Sequence, residues 1–148
     1  MPTRPEQVTH RLINQKRKQR GLPPVKWSGK MYRLAKDQSN KMARAGRLFH
    51  SNRYALQGGE NICGGKGHHS PRDFVTSWMR SPKHRAWLLD PRVKTAAVGI
   101  SKSRHGTYAA WSFSDQPLFR LRRIRPGILG WLTKVFRPHY TVLRSQKG

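Results

Sequence analysis

Apolar residues are sparse in the first twenty positions and fall on one side of a helical repeat, at Val8, Leu12 and Ile13, with basic residues over the rest. Thr3-Arg4-Pro5-Glu6 has the composition of a capping box with proline in the first turn, so a helix is predicted from about Pro5 to Arg20, closed by Gly21-Leu22-Pro23-Pro24. Ser28 can cap a second helix, whose Met31, Leu34, Ala35, Gln38 and Met42 recur at three- and four-residue steps until Gly46. The stretch from Asn52 to His69 is rich in glycine and has little periodicity, which predicts a loop. Ser70-Pro71-Arg72-Asp73 reads as another capped start, with Phe74 and Trp78 as the buried stripe of a helix ending near Arg80. Ser81-Pro82 opens a further short helix through Leu89. The period then changes to two. Ala97 to Ile100 and Tyr108 to Phe113 flank Ser103-Arg104-His105-Gly106, the pattern of a hairpin. The predicted class is α+β, with helices packed on a small antiparallel sheet.

A chain of 148 residues is of single-domain size and can bury a core without disulfides, which the lone Cys63 cannot supply. The composition shifts after residue 115, dividing a domain, 1–115, from a basic, partly amphipathic extension, 116–148, that contains no acidic residue. Charge changes the picture most. With 31 Lys and Arg against 6 Asp and Glu, the formal charge is +25, and such a surface repels itself unless an anion neutralises it. Lys16, Arg17, Lys18 and Arg20 in the first helix, and Arg120, Arg122, Arg123 and Arg125 in the extension, are the candidate polyanion contacts. Within the extension, Ile128, Trp131, Leu132 and Phe136 form an apolar segment suited to docking on a protein partner or lying on an anionic bilayer. No run of about 18 apolar residues occurs, and Met1 to Arg20 lacks the apolar centre of a signal peptide. This reading favours an intracellular protein, or part of a particle, over a secreted one.

Five pieces in order carry a resemblance. Ile13-Asn14-Gln15-Lys16-Arg17 with Gly21 to Trp27 comes first, followed by Leu48-Phe49-His50-Ser51 and by Gly59-Glu60-Asn61-Ile62. Next come Trp78-Met79-Arg80-Ser81-Pro82-Lys83-His84-Arg85 running on to Pro91, and Ala97-Val98-Gly99-Ile100. Together they resemble the CAP superfamily, named for cysteine-rich secretory, antigen 5 and pathogenesis-related proteins, in its bacterial SCP-like form. The resemblance covers roughly Val8 to Phe113 and implies an α-β-α sandwich. It also implies a cleft in which two histidines and two glutamates can hold a divalent metal such as zinc. Matched motif by motif, three of these fall on His50, Glu60 and His84, while the second glutamate falls on Ser81; Asn61 and Ser81 belong to the same cleft. Two imidazoles and one carboxylate can still bind a metal with a position left for water, the arrangement a secreted metal-assisted hydrolase needs.

Plainer readings stand beside these. His50, Glu60 and His84 can equally hold the cleft closed by hydrogen bonds alone. Ser51 and Ser112 lack the surroundings of a nucleophile elbow. Cys63 reads as a buried, inert thiol, and His68-His69 as solvent-facing on a glycine-rich loop. Trp27, Trp78 and Trp111 read as core. The reading reached is a non-catalytic binding or structural protein that docks on a polyanion, RNA or DNA in a nucleoprotein particle such as a ribosome or virion. An acidic wall polymer or an anionic membrane is the other polyanion of this kind. The hydrolase and the lipid-surface protein are the alternatives.

Overall fold

The computed structural model describes residues 1–52 and 58–114, and the backbone of 140–142. The predicted helices are found: α1, Arg4–Lys18; α2, Gly29–Ala45; α3, Pro71–Arg80; and α4, Pro82–Leu88. Their ends are set by the residues that marked them in the sequence. Glu6 accepts from the Thr3 N–H at 2.7 Å, and the Ser28 hydroxyl accepts from the Met31 N–H at 3.3 Å. Asp73 accepts from the Ser70 N–H at 2.7 Å, and Gly46 closes α2 in the left-handed conformation at φ 67°.

The strands are β1, Lys26–Trp27; β2, Gly59–Gly65; β3, Thr95–Ser103; β4, Gly106–Ser114; and β5, Tyr140–Val142. They form one sheet in the order β1-β3-β4-β2-β5. Its centre is antiparallel, as expected, with Trp111 opposite Val98 on one side and Asn61 on the other. The two short edge strands are parallel to their neighbours, which period-two patterning does not reveal. β5 returns part of the C-terminal extension to the edge of β2.

β2 overturns the expectation of a loop from Asn52 to His69. The strand is buried along its whole length, because helices cover both faces of the sheet, so no polar residue alternates with an apolar one to announce it. α1, α3 and α4 lie on one face, where Ile13, Phe74, Trp78 and Leu88 pack with Cys63, Val98, Trp111 and Phe113. α2 lies on the other, with Ala35 and Met42 against Ile62, Tyr108 and Ala110. This is the implied α-β-α sandwich. Trp78 and Trp111 are fully buried as predicted, whereas Trp27 is only half-buried between His10 and Tyr32.

Candidate functional site

Gly46 turns the chain out of α2, and Leu48 and Phe49 then pack back on the α2 side of the core. The Gln38 side-chain amide, on α2, donates to the Phe49 carbonyl and fixes this segment where His50 and Ser51 begin. Glu60 stands on β2 facing them. His50 Nδ1 and Glu60 Oε1 are 2.9 Å apart, and the Ser51 N–H donates to the same oxygen at 3.0 Å. Both side chains are buried, to 7% and 0% exposure. In front of this pair lies an open cleft of about 350 Å³, lined by Leu34, Asp37, Gln38 and Lys41 of α2 and by Phe49 to Asn52.

Among the described residues, three buried polar atoms at or near the cleft have no hydrogen-bond partner: Glu60 Oε2, Gln38 Oε1 and the Ser51 hydroxyl. A buried polar atom left unpaired costs about 1–3 kcal/mol, a cost natural sites commonly offset by binding something. The sequence marked His50 and Glu60 but not the α2 wall. The signal that could have found the wall is Gln38 itself, an amide on an otherwise apolar helical face that must find partners.

Asn61, the next residue of β2, donates from its side-chain amide to the His84 carbonyl at 3.1 Å, tying the strand to α4. His84 is buried on α4. The structure therefore brings His50 and Glu60 together, and among the described residues no three His, Cys, Asp or Glu side chains are grouped to hold a metal ion. Glu60 Oε2 could face a cation, but Oε1 and His50 Nδ1 are committed to each other. Ser81 has another task. It ends α3 and begins α4 at one residue, its N–H donating to the Ser77 carbonyl and its carbonyl accepting from the Arg85 N–H. Among the described residues, the ligand set that the resemblance implied is therefore not gathered at one point.

Three other expectations change or gain definition. Arg17 is not a polyanion contact. It is fully buried, donating from Nε to the Pro23 carbonyl at 2.9 Å and from Nη1 to the carbonyls of Leu88 and Asp90 at 2.8 and 3.0 Å. A guanidinium can satisfy several carbonyls at once, which is why this basic position can face inward. Lys16 is half-buried, and Lys18 and Arg20 are exposed. His69 is not in solvent: it is buried beside Phe74, its Nε2 3.0 Å from the Lys66 carbonyl, while His68 is exposed. Cys63 is fully buried as expected, and burial pushes its thiol up to about 12, far from the thiolate that reactivity requires. Arg120, Arg122, Arg123 and Arg125, with Ile128, Trp131, Leu132 and Phe136, lie outside the described residues.

Comparison with known proteins supplies the family. An extracellular protein containing an SCP domain from Bacillus anthracis is similar in structure over 72% of this chain, at 19% identity and a TM-score of 0.58. This chain covers 39% of that protein's length. An outer surface protein of Borrelia burgdorferi is similar over 74% of this chain and 92% of its own, at 14% identity and a TM-score of 0.59. No curated protein matches the chain in sequence. At these identities the structures speak for the fold alone. The sequence pattern of the CAP, cysteine-rich secretory protein, family matches residues 10–114, from the middle of α1 to the last residue of β4 and through His50, Glu60 and His84. With that span and the α-β-α sandwich in agreement, the chain belongs to the CAP, cysteine-rich secretory protein, family.

Proposed function

We propose that this CAP-family chain is a non-catalytic binding module that docks on a polyanionic partner or assembly, and that its basic extension takes part in the docking. The observation that carries the reading is where the acids go. Of the six acidic residues, five are among the described residues. Glu6 and Glu60 have no side-chain exposure, and Asp73 is tied to the Ser70 N–H and hydroxyl at the start of α3. Asp90 is bound by Arg92 through both carboxylate oxygens. Among the described acids only Asp37 has a largely exposed carboxylate, and it pairs with Lys41 at 2.7 Å. The five described acids are thus tied up in caps and ion pairs, and most of the described exposed lysines and arginines have no acid beside them.

A solvated face ordinarily mixes signs, so a surface of one sign is explained by a partner of the other. Heparin, a soluble polyanion, is the direct probe. The full chain should bind it at low salt with an affinity that falls linearly on a log–log plot as salt rises. Absence of binding near 50 mM salt would overturn the reading.

A further inference from the structure

Both helical layers expose cations, but among the described residues only the α1–α3 layer exposes them in rows that contain no acid. On α1 the exposed positions include Arg4, Gln7, Arg11, Gln15 and Lys18. Seven residues are two helical turns less about 20°, so Arg4, Arg11 and Lys18 fall on one line with about 10.5 Å of rise between them and the two glutamines interleave. On α3, which packs beside α1, the exposed positions are Arg72, Thr76 and Arg80, at successive four-residue steps. Arg85 follows on α4. None of these six cations is in an ion pair among the described residues, and Arg85 also donates to the Met79 carbonyl. The acids of these helices, Glu6 and Asp73, both sit in a first turn and are drawn into caps. The α2 layer also exposes Lys30, Arg33 and Arg44, but there Asp37 lies in the same exposed row and pairs with Lys41.

We infer that the α1–α3 face is the docking surface, and that its partner is the phosphate backbone of a duplex nucleic acid; the inference rests on the polyanion reading above. Three features select this partner. Five of the six cations are arginines, whose planar fork matches two phosphate oxygens at once. The residues between them, Gln7, Gln15 and Thr76, are neutral hydrogen-bonding groups of the kind that contact phosphate and sugar oxygens without reading bases. Membrane-surface helices, by contrast, insert apolar side chains, and among the described residues the only exposed large apolar one is Met1. The cleft stands by α2, on the other side of the sheet, so this docking leaves it open.

The test compares two triple variants of the full chain with the same loss of charge. One is Arg11→Ala, Arg72→Ala, Arg80→Ala; the control is Lys30→Ala, Arg33→Ala, Arg44→Ala on α2, and circular dichroism checks that both remain folded. Binding to a short duplex DNA of arbitrary sequence is measured by fluorescence anisotropy across a salt series. The first variant should bind roughly tenfold or more weakly, with a salt slope shallower by about 0.9 for each phosphate contact removed, and the control should stay within about twofold of the parent. Equal loss in both variants overturns the face while leaving polyanion binding intact. Parent chain that ignores the duplex but binds phosphatidylglycerol vesicles, or heparin alone, overturns the nucleic acid. Failure to bind heparin at all removes the polyanion reading beneath it.

Discussion

Glu6 shows how one side chain can join three elements. Its carboxylate caps α1, accepts from the Tyr32 hydroxyl at 3.0 Å and pairs with Lys36 of α2 at 2.8 Å. It also accepts from the Ile100 N–H on β3 at 2.9 Å, while Lys36 donates to the Ile100 carbonyl. Beyond the two-residue pairing with β1, the outer edge of β3 would otherwise leave such groups open, so the Glu6–Lys36 pair substitutes for a missing strand. Burial alone raises this carboxyl, but Lys36 and the N–H groups of Ile100 and Thr3 overcome that and hold it below its ordinary value of 4.5. The same burial and the carboxylate beside it push the Tyr32 hydroxyl up to about 12. A depressed acid binds its proton more weakly in the folded state than in the unfolded one. Its contribution to stability is therefore complete above pH 4.5 and is lost as pH falls through the lower folded value. Glu6→Gln should cost about 2 kcal/mol near neutral pH, and urea titrations should show the gap between parent and variant closing in acid. A gap that stays constant down to about pH 3 would show that Glu6 acts only by its shape.

At the level of elements, the α2–sheet contact depends on small residues. A side-chain carbon added at Gly99 would lie 2.4 Å from the Ala35 carbonyl carbon and the Lys36 nitrogen, so the α2 backbone rests directly on β3. Around that point Ser39 and Ser101 join hydroxyls at 2.8 Å, and the Ser103 hydroxyl donates to the Ala43 carbonyl at 2.6 Å. Gly99→Ala must move a helix backbone rather than a flexible side chain, and it should cost about 3 kcal/mol, the upper end of the usual cost of overpacking, read as a lower urea midpoint. Destabilisation below about 0.5 kcal/mol would mean that α2 is loosely seated. Such contacts also explain what the sequence could and could not reveal. α1, α2 and α3 were legible because Glu6, Ser28 and Asp73 cap them locally and their stripes are amphipathic. β2 was not, since a strand buried on both faces, with Gly59 against the Phe113 ring, has neither alternation nor bulk. In the site, His50 and Glu60 were legible through their motifs. The fate of Arg17 was not, because the carbonyls it serves at Leu88 and Asp90 are more than seventy residues away.

On the scale of the whole molecule, salt should act in two opposite directions. With a formal charge of +25, folding gathers like charges that the unfolded chain keeps further apart, and six acids against 31 lysines and arginines are too few to offset this. Raising salt from about 0.01 to about 0.1 M shortens the screening length from about 30 to about 10 Å, comparable to the spacing of Arg4, Arg11 and Lys18 along α1. The repulsion along such rows is then largely removed. If screening recovers about 1 kcal/mol, a chain of this size should gain about 3–5 °C in Tm over that range and little more beyond it. Affinity for a polyanion must fall over the same range, because the bound state releases counterions that added salt opposes. Folding and docking are therefore both governed by one-sign charge, with opposite responses. Thermal scans of the free chain at a series of salt concentrations check the first half. A Tm that is flat or falling with salt would show that internal pairs such as Glu6 with Lys36 outweigh repulsion between the exposed rows.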